Sequence, residues 1–499
     1  MAARNADAEK GTQRALSTRT IWANRGRTKR IGDPDGNPAV TPTRGTNPVT
    51  DDTAEGVGTK RGLLWKLGLH RPELRAWTAY DWANSAFVTT IMTAVFPIYY
   101  SRVASAGLPP ETASFRYGVS TTIGLIMIAV ISPILGTVAD YRPVKKRMLG
   151  TFMGIGVTAC ILMYFVHQGD WLLASILFIV ANFGANGSFV FYDSLLPHIA
   201  RDEEMDRVST AGYALGYIGG GLHLAIALLW IQKPEWFGLA QGTTLPTRLA
   251  FLSVGIWWLA FAIPLFRRVS EPPPRLEADE ERGQSALRIA FRRLKETFGE
   301  LRQYRNAFLM LIAFFIYNDG IGTIIRMATI YGTEIGIEQG ALIGAILTVQ
   351  FVGVPFAFLF GMLAGRIGTK RSIYLALVVY AGISILGYFM RTATHFLILA
   401  ILVGMVQGGA QALSRSLFAS LIPRYKSGEF FGFFAVMEKF AGILGPAVFA
   451  VTIGISGSSR NAILTIIAFF AVGGYLLSKV DVQEGQRVAR EAEARTRAA

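Results

Sequence analysis

Six apolar stretches of this sequence carry charged or amide groups, and these residues could do chemistry. Tyr80, Asp81 and Asn84 fall on one face of a helix, as do Asn182, Asn186 and Asp193. Asp319, Thr323 and Arg326 follow in steps of four and three, with Asn318 beside them. Gln407, Gln411 and Ser414 line up next to Arg415, Glu438 adjoins Lys439, and His223 stands alone. Charges inside an apolar helix are expensive, so each is a candidate to bind a solute, carry a proton or close a gate. The competing reading is a static ion pair or a group snorkelling to an interface. The set does not suit an enzyme. No nucleophile–base pair, His/Cys metal cluster or phosphate-binding Gly loop is legible, so no metal or cofactor is expected. The single cysteine, Cys160, excludes a disulfide framework.

Depth sorts these groups. Asp319 lies about twelve residues into its stretch, roughly 18 Å along a helix and near a bilayer midplane. Asp81, Asp193, Arg415, Glu438 and Lys439 lie nearer one end. The expectation is a midplane site around Asp319 and Arg326, with the end set forming a gate of ion pairs. Asp81, Asn84, Asn186, Asn318, Gln411 and Arg415 complete the candidates for substrate or proton binding. His223 reads as a satisfied core histidine.

The elements that position them are membrane spans. Of 499 residues, 52% are hydrophobic and only 17% charged, against roughly a quarter charged in soluble domains. Twelve apolar segments, each near the roughly 20 residues a spanning helix needs, run at 76–100, 116–138, 148–167, 172–196, 209–231, 249–267, 307–331, 341–364, 372–390, 396–422, 431–453 and 461–479. Helices are expected, because lipid satisfies no backbone group. The net charge of +15 fits cation-rich inner loops better than nucleic-acid binding. With both termini inside, Arg142, Lys145, Lys146, Arg147, Arg201 and Arg207 lie in inner loops, and the outer loops hold few cations. That places both termini in the cytoplasm. Residues 1–70 read as a disordered tail, 71–268 and 306–480 as two six-helix bundles, and 481–499 as a second tail. Between the bundles, 269–305 is a cytoplasmic linker. Its Leu287, Phe291, Leu294, Phe298 and Leu301 predict an amphipathic surface helix.

One loop is written twice. The loop that holds Gly136, Asp140, Lys145, Lys146 and Arg147 recurs, offset by 225 positions, as the stretch 361–371, which holds Gly361, Arg366, Gly368, Lys370 and Arg371. Ser194–Pro197 recurs 226 positions later as Ser420–Pro423. Two landmarks at one offset imply a doubled architecture. Asp140, at a helix end, is placed to accept hydrogen bonds from a neighbouring helix N-terminus. The basic knot is placed to pair with acids on neighbouring helices and to meet anionic lipid. In the second copy Gly365 stands where the acid would be. The second latch is therefore expected to be weak or absent.

The doubled loop resembles the signature of the major facilitator superfamily, between helices two and three and eight and nine. The stretches Tyr80–Phe87, Tyr317–Gly320 and Gln411–Ser416 are similar to the unknown-major-facilitator family, related to the autophagy-linked vacuolar amino-acid effluxers. The resemblance covers roughly 72–480 and implies an all-α membrane fold of twelve helices in two pseudo-symmetric bundles. It implies secondary transport of a small molecule, amino-acid export first, by alternating access. Proton coupling stays open, since protonation neutralises a carboxylate held away from water. Glu438 stands where that family usually has an uncharged residue, and it could neutralise Lys439. The alternatives are a broad-specificity exporter lined by Phe314, Phe315 and Phe351, and a membrane sensor that moves nothing. The expected partners are a small-molecule substrate, protons and the bilayer. A monomer in a bacterial inner membrane is expected.

Overall fold

The computed structural model describes residues 62–273, 303–442 and 444–498. Eleven helical spans in it are long and apolar enough to cross a membrane. The twelfth predicted span is α1, which is not one regular α-helix. It begins as Pro72–Ala86, widens into the π-helical turns Phe87–Ala94, resumes at Phe96–Tyr99 and widens again over Tyr100–Ala104. Pro97 removes one backbone donor from this path. The others are α2 (Pro110–Tyr141), α3 (Lys145–Leu162), α4 (Trp171–Ile199), α5 (Met205–Gln232), α6 (Leu245–Arg268), α7 (Arg305–Glu334), α8 (Gln339–Ile367), α9 (Thr369–Tyr388) and α10 (Ala393–Ser420). Then come α11, in two pieces (Ser427–Phe440 and Leu444–Ser456), and α12 (Ser459–Ser478).

The packing repeats with the sequence. In the first half α1 packs on α5 and α6, α4 on α2 and α3, and α3 on α6. Six helices later, α7 packs on α11 and α12, α10 on α8 and α9, and α9 on α12. The halves meet through α2 against the first piece of α11 and through α5 against α8 and α10. Residues such as Phe115, Val130, Val378 and Ile455 point outward, 64–83% exposed. Apolar surface of that kind is stable only with lipid as solvent.

Two expectations change. Residues 62–70 of the predicted tail are structured. A short helix, Leu63–Lys66, puts the Trp65 ring 3.7 Å from the Arg207 guanidinium. His70 and Arg71 both bind Glu204, at the start of α5. The predicted C-terminal tail is a helix, α13 (Val482–Ala498), with Ala489 and Ala492 buried. Its Gln486 donates to Ser420, and its Glu493 accepts from the Arg424 backbone N–H. The many charges of α13 hide a narrow stripe of small residues that suffices for docking. The predicted linker helix at 287–301, and residues 1–61, lie outside the described residues.

Candidate functional site

The end set assembles around Arg415. Its Nη1 donates to Asp193 Oδ1 at 2.9 Å, its Nη2 lies 3.5 Å from Asp81 Oδ2, and its Nε donates to Ser209 Oγ at 2.9 Å. Nη2 also donates to the Ser209 carbonyl at 3.0 Å. Tyr192 donates to Asp81 at 2.8 Å. The guanidinium sits 4.9 Å from the Trp77 ring, 4.7 Å from Tyr213 and 5.7 Å from Tyr192. Trp77 and Tyr192 stack on each other with centroids 4.4 Å apart. Asp81 and Trp77 come from α1, Tyr192 and Asp193 from α4, and Ser209 and Tyr213 from α5, all in the first half. Arg415 alone comes from α10. Gly212 makes room: a Cβ there would fall 2.2 Å from Asp81 Oδ2. Glu438 pairs with Lys439 at 3.3 Å, as its sequence position suggested, and Lys439 lies 5.7 Å from the Phe189 ring on α4.

The two repeated loops lie at the same end as this cluster. Asp140 accepts from the backbone N–H groups of Gly428 at 3.0 Å and Glu429 at 2.8 Å, the exposed donors at the start of α11. Lys145 bonds Asp140 at 2.7 Å and donates to Ser427 at 2.7 Å, crossing between halves again. Lys146 donates to the carbonyls of Phe266 and Val269, tying down the end of α6. Lys370 does the same for α12, at Ser478 and Val480. Arg147, Arg366 and Arg371 are exposed, Gly368 holds a φ of +93° before α9, and a Cβ on Gly136 or Gly361 would fall 2.0 or 2.1 Å from an atom of the other half.

The second loop carries no acid of its own, yet the halves are bridged there too. The acid missing at Gly365 is supplied from the other side, by Asp206 in the first turn of α5. Asp206 accepts from Thr369 at 2.6 Å and Ser416 at 2.5 Å, both in the second half. The sequence signal was an acid at a helix start opposite the repeated loop, which a search confined to the loop misses.

The midplane pair is built around a break in α11. Ala441 is extended and Gly442 has a φ of +126°, so the helix stops at Phe440 and restarts at Leu444. Asp319 Oδ2 accepts from the Gly445 N–H at 2.9 Å, and Arg326 Nη1 donates to the Gly442 carbonyl at 2.9 Å. An anion thus faces the positive start of the second piece, and a cation bonds a carbonyl of the break itself. Asp319 is fully buried, and Arg326 is exposed beside it. Among the described residues, Asp319 Oδ1 has no hydrogen-bond partner.

Other candidates separate from these two centres. Asn182 and Asn186 are buried and donate to carbonyls one turn back in α4, at 3.0 and 2.8 Å, so their stripe faces the bundle core. Asn84 and Asn318 are buried and Gln411 half-buried. His223 is buried between Thr90 at 3.0 Å and Ser253 at 3.1 Å, as a core histidine should be. Phe314 is buried and stacked on Phe434, Phe315 is half-buried and Phe351 is exposed. Trp77, Tyr192, Ser209 and Tyr213 were missed. The pairs Trp77/Asp81 and Ser209/Tyr213 are four residues apart, and that spacing was the available signal.

Residues 102–490 match the family model described as vacuole effluxer Atg22 like. The chain belongs to the Atg22-like family. An uncharacterized MFS-type transporter, YxiO of Bacillus subtilis, is 37% identical over 423 residues, covering 83% of this chain and 96% of that protein. Autophagy-related protein 22 of Coccidioides immitis is 25% identical over 461 residues, covering 77% and 75%. The solved proton:xylose symporter XylE superposes with a TM-score of 0.61 at 12% identity, over 82% of this chain and 95% of that one. This Atg22-like protein is therefore a multi-pass membrane transporter with the major facilitator fold.

Proposed function

We propose that this protein exports a small solute, an amino acid before others, by rocking of two six-helix halves, residues 71–268 and 306–480. The observation that carries the reading is the broken α11, with Asp319 and Arg326 at its two open ends. Discontinuous helices offer exposed dipole ends to charged substrate groups in secondary transporters. The exposed Arg326 suits a substrate carboxylate. The free oxygen of Asp319 suits an ammonium group, or the proton that would drive exchange. The Arg415 cluster and the two latches form the gate at the basic end. That end faces the cytoplasm in this reading, because the exposed arginines lie there. The family description, an effluxer, supports export as the direction.

The test is counterflow of pooled labelled amino acids in proteoliposomes, with and without an inward proton gradient. Uptake that needs preloaded amino acid, and falls at least tenfold in Asp319→Asn, is the expected result. Wild-type rates in Asp319→Asn would remove Asp319 from the mechanism. No counterflow by folded, inserted protein would remove the amino-acid reading.

A further inference from the structure

The Arg415 cluster is divided unevenly between the halves. Two carboxylates, an indole, two phenols and the Ser209 carbonyl belong to the first half, and the cation they enclose belongs to the second. In the rocking mechanism proposed above, on which this inference rests, the gate opens only when α10 withdraws. Withdrawal takes the guanidinium with it. What stays on α1, α4 and α5 is an acidic, aromatic-walled cage, already shaped around a guanidinium. Two desolvated carboxylates left side by side repel each other and need a counter-cation. The aromatic faces of Trp77 and Tyr213 favour an organic cation over a strongly hydrated metal ion.

We propose that this cage is a binding site for the ammonium or guanidinium group of a transported organic cation, which replaces Arg415 when the gate opens. Arg415 acts as a tethered competitor: the gate closes when it displaces the ligand. A ligand whose cation lies far from any carboxylate is favoured, because a third anion in the cage would be repelled. Basic amino acids meet that condition and zwitterionic leucine does not.

Two measurements on the full-length protein test this. The first is thermal unfolding in detergent of Arg415→Ala, whose cage is empty. Ethylguanidinium is expected to raise its melting temperature by about 1–3 °C at ten- to hundredfold above Kd. The neutral isostere ethylurea should not, nor should ethylguanidinium act on Arg415→Ala carrying Asp193→Asn. Equal responses to ethylguanidinium and ethylurea overturn the cage. The second uses wild-type protein and so does not depend on that variant folding. In counterflow, excess arginine or lysine is expected to inhibit at least tenfold more strongly than leucine. Leucine counterflow that neither basic amino acid inhibits overturns the cage as a substrate site and leaves the transport reading standing. If no amino acid moves at all, the transport reading falls, and the Arg415→Ala response alone decides whether the cage binds organic cations.

Discussion

The closed end rests on one contact that can be broken without touching a charge. Gly136 of α2 crosses Gly428 at the start of α11 so closely that a Cβ on Gly136 would sit 2.0 Å from the Gly428 carbonyl oxygen. Ordinary contact begins near 3.4 Å, and both groups that would have to yield are backbone. Gly136→Ala must therefore part the helices by about 1.4 Å or bend one of them. The bonds from Gly428 and Glu429 to Asp140, now 3.0 and 2.8 Å, would stretch beyond hydrogen-bonding range. Two hydrogen bonds to a charged group are worth about 1.5–3 kcal/mol each. The helix-dipole contribution adds up to about 1 kcal/mol. In the proposed rocking mechanism this crossing parts when the end opens, so the cost falls on the closed state. The closed end should lose about 3–7 kcal/mol relative to the open one, a population shift of about 10²–10⁵. Spin labels at Arg147→Cys and Arg371→Cys, both exposed, in a Cys160→Ala background report the separation by electron–electron distance measurement. A longer-distance population should dominate in Gly136→Ala. Gly154→Ala on α3, where a Cβ meets nothing within 4 Å, is the control. A distance distribution in Gly136→Ala that superimposes on the control would refute the latch.

Asp206→Asn keeps an acceptor for Thr369 and Ser416 and loses the charge on it, so the same labels should show a smaller shift, of about 1–2 kcal/mol. His70 lies before α1, and burial lowers its pKa below the ordinary 6.5, against the opposing pull of Glu204. A histidine depressed in the folded state contributes stability that is complete above 6.5 and lost as pH falls below it. Melting temperature should therefore fall between about pH 7 and pH 5, and His70→Gln should flatten part of that fall.

The sequence made the spans and the charged stripes legible because both are local signals. A run of about 20 apolar residues with one carboxylate declares itself without a neighbour. Asp81, Asp193 and Arg415 were drawn together as one gate from their common depth alone. What stayed hidden depends on partners. The break in α11 falls in a continuous apolar run, 431–453, where Gly442 resembles any of the chain's 53 glycines. Pro446 lacks the N–H that would reach the Gly442 carbonyl one turn back, and Asp319 and Arg326, about 120 residues earlier, take up the groups left at the break. The aromatic walls around Arg415 look like ordinary core residues until a guanidinium lies against them. The docking stripe of α13 was masked by the charges on its other faces.

The two latches show how a doubled architecture can keep its geometry while its chemistry drifts. In both copies a glycine marks the crossing, Gly136 against Gly428 and Gly361 against Thr210, and a lysine ties down the last helix of its half. In both, one carboxylate bridges the halves. In the first copy it stands on the loop and faces a helix start, where backbone N–H groups receive it. In the second it stands on the helix start and faces the loop and α10, where the hydroxyl groups of Thr369 and Ser416 donate to it. What is kept is a carboxylate that bridges the halves at each crossing, Asp140 buried and Asp206 half-buried, reached from opposite sides. A helix N-terminus stabilises a carboxylate whether that carboxylate arrives from another helix or lies in its own first turn. Both crossings therefore keep a carboxylate that bridges the halves, although it stands on the repeated loop in only one of them.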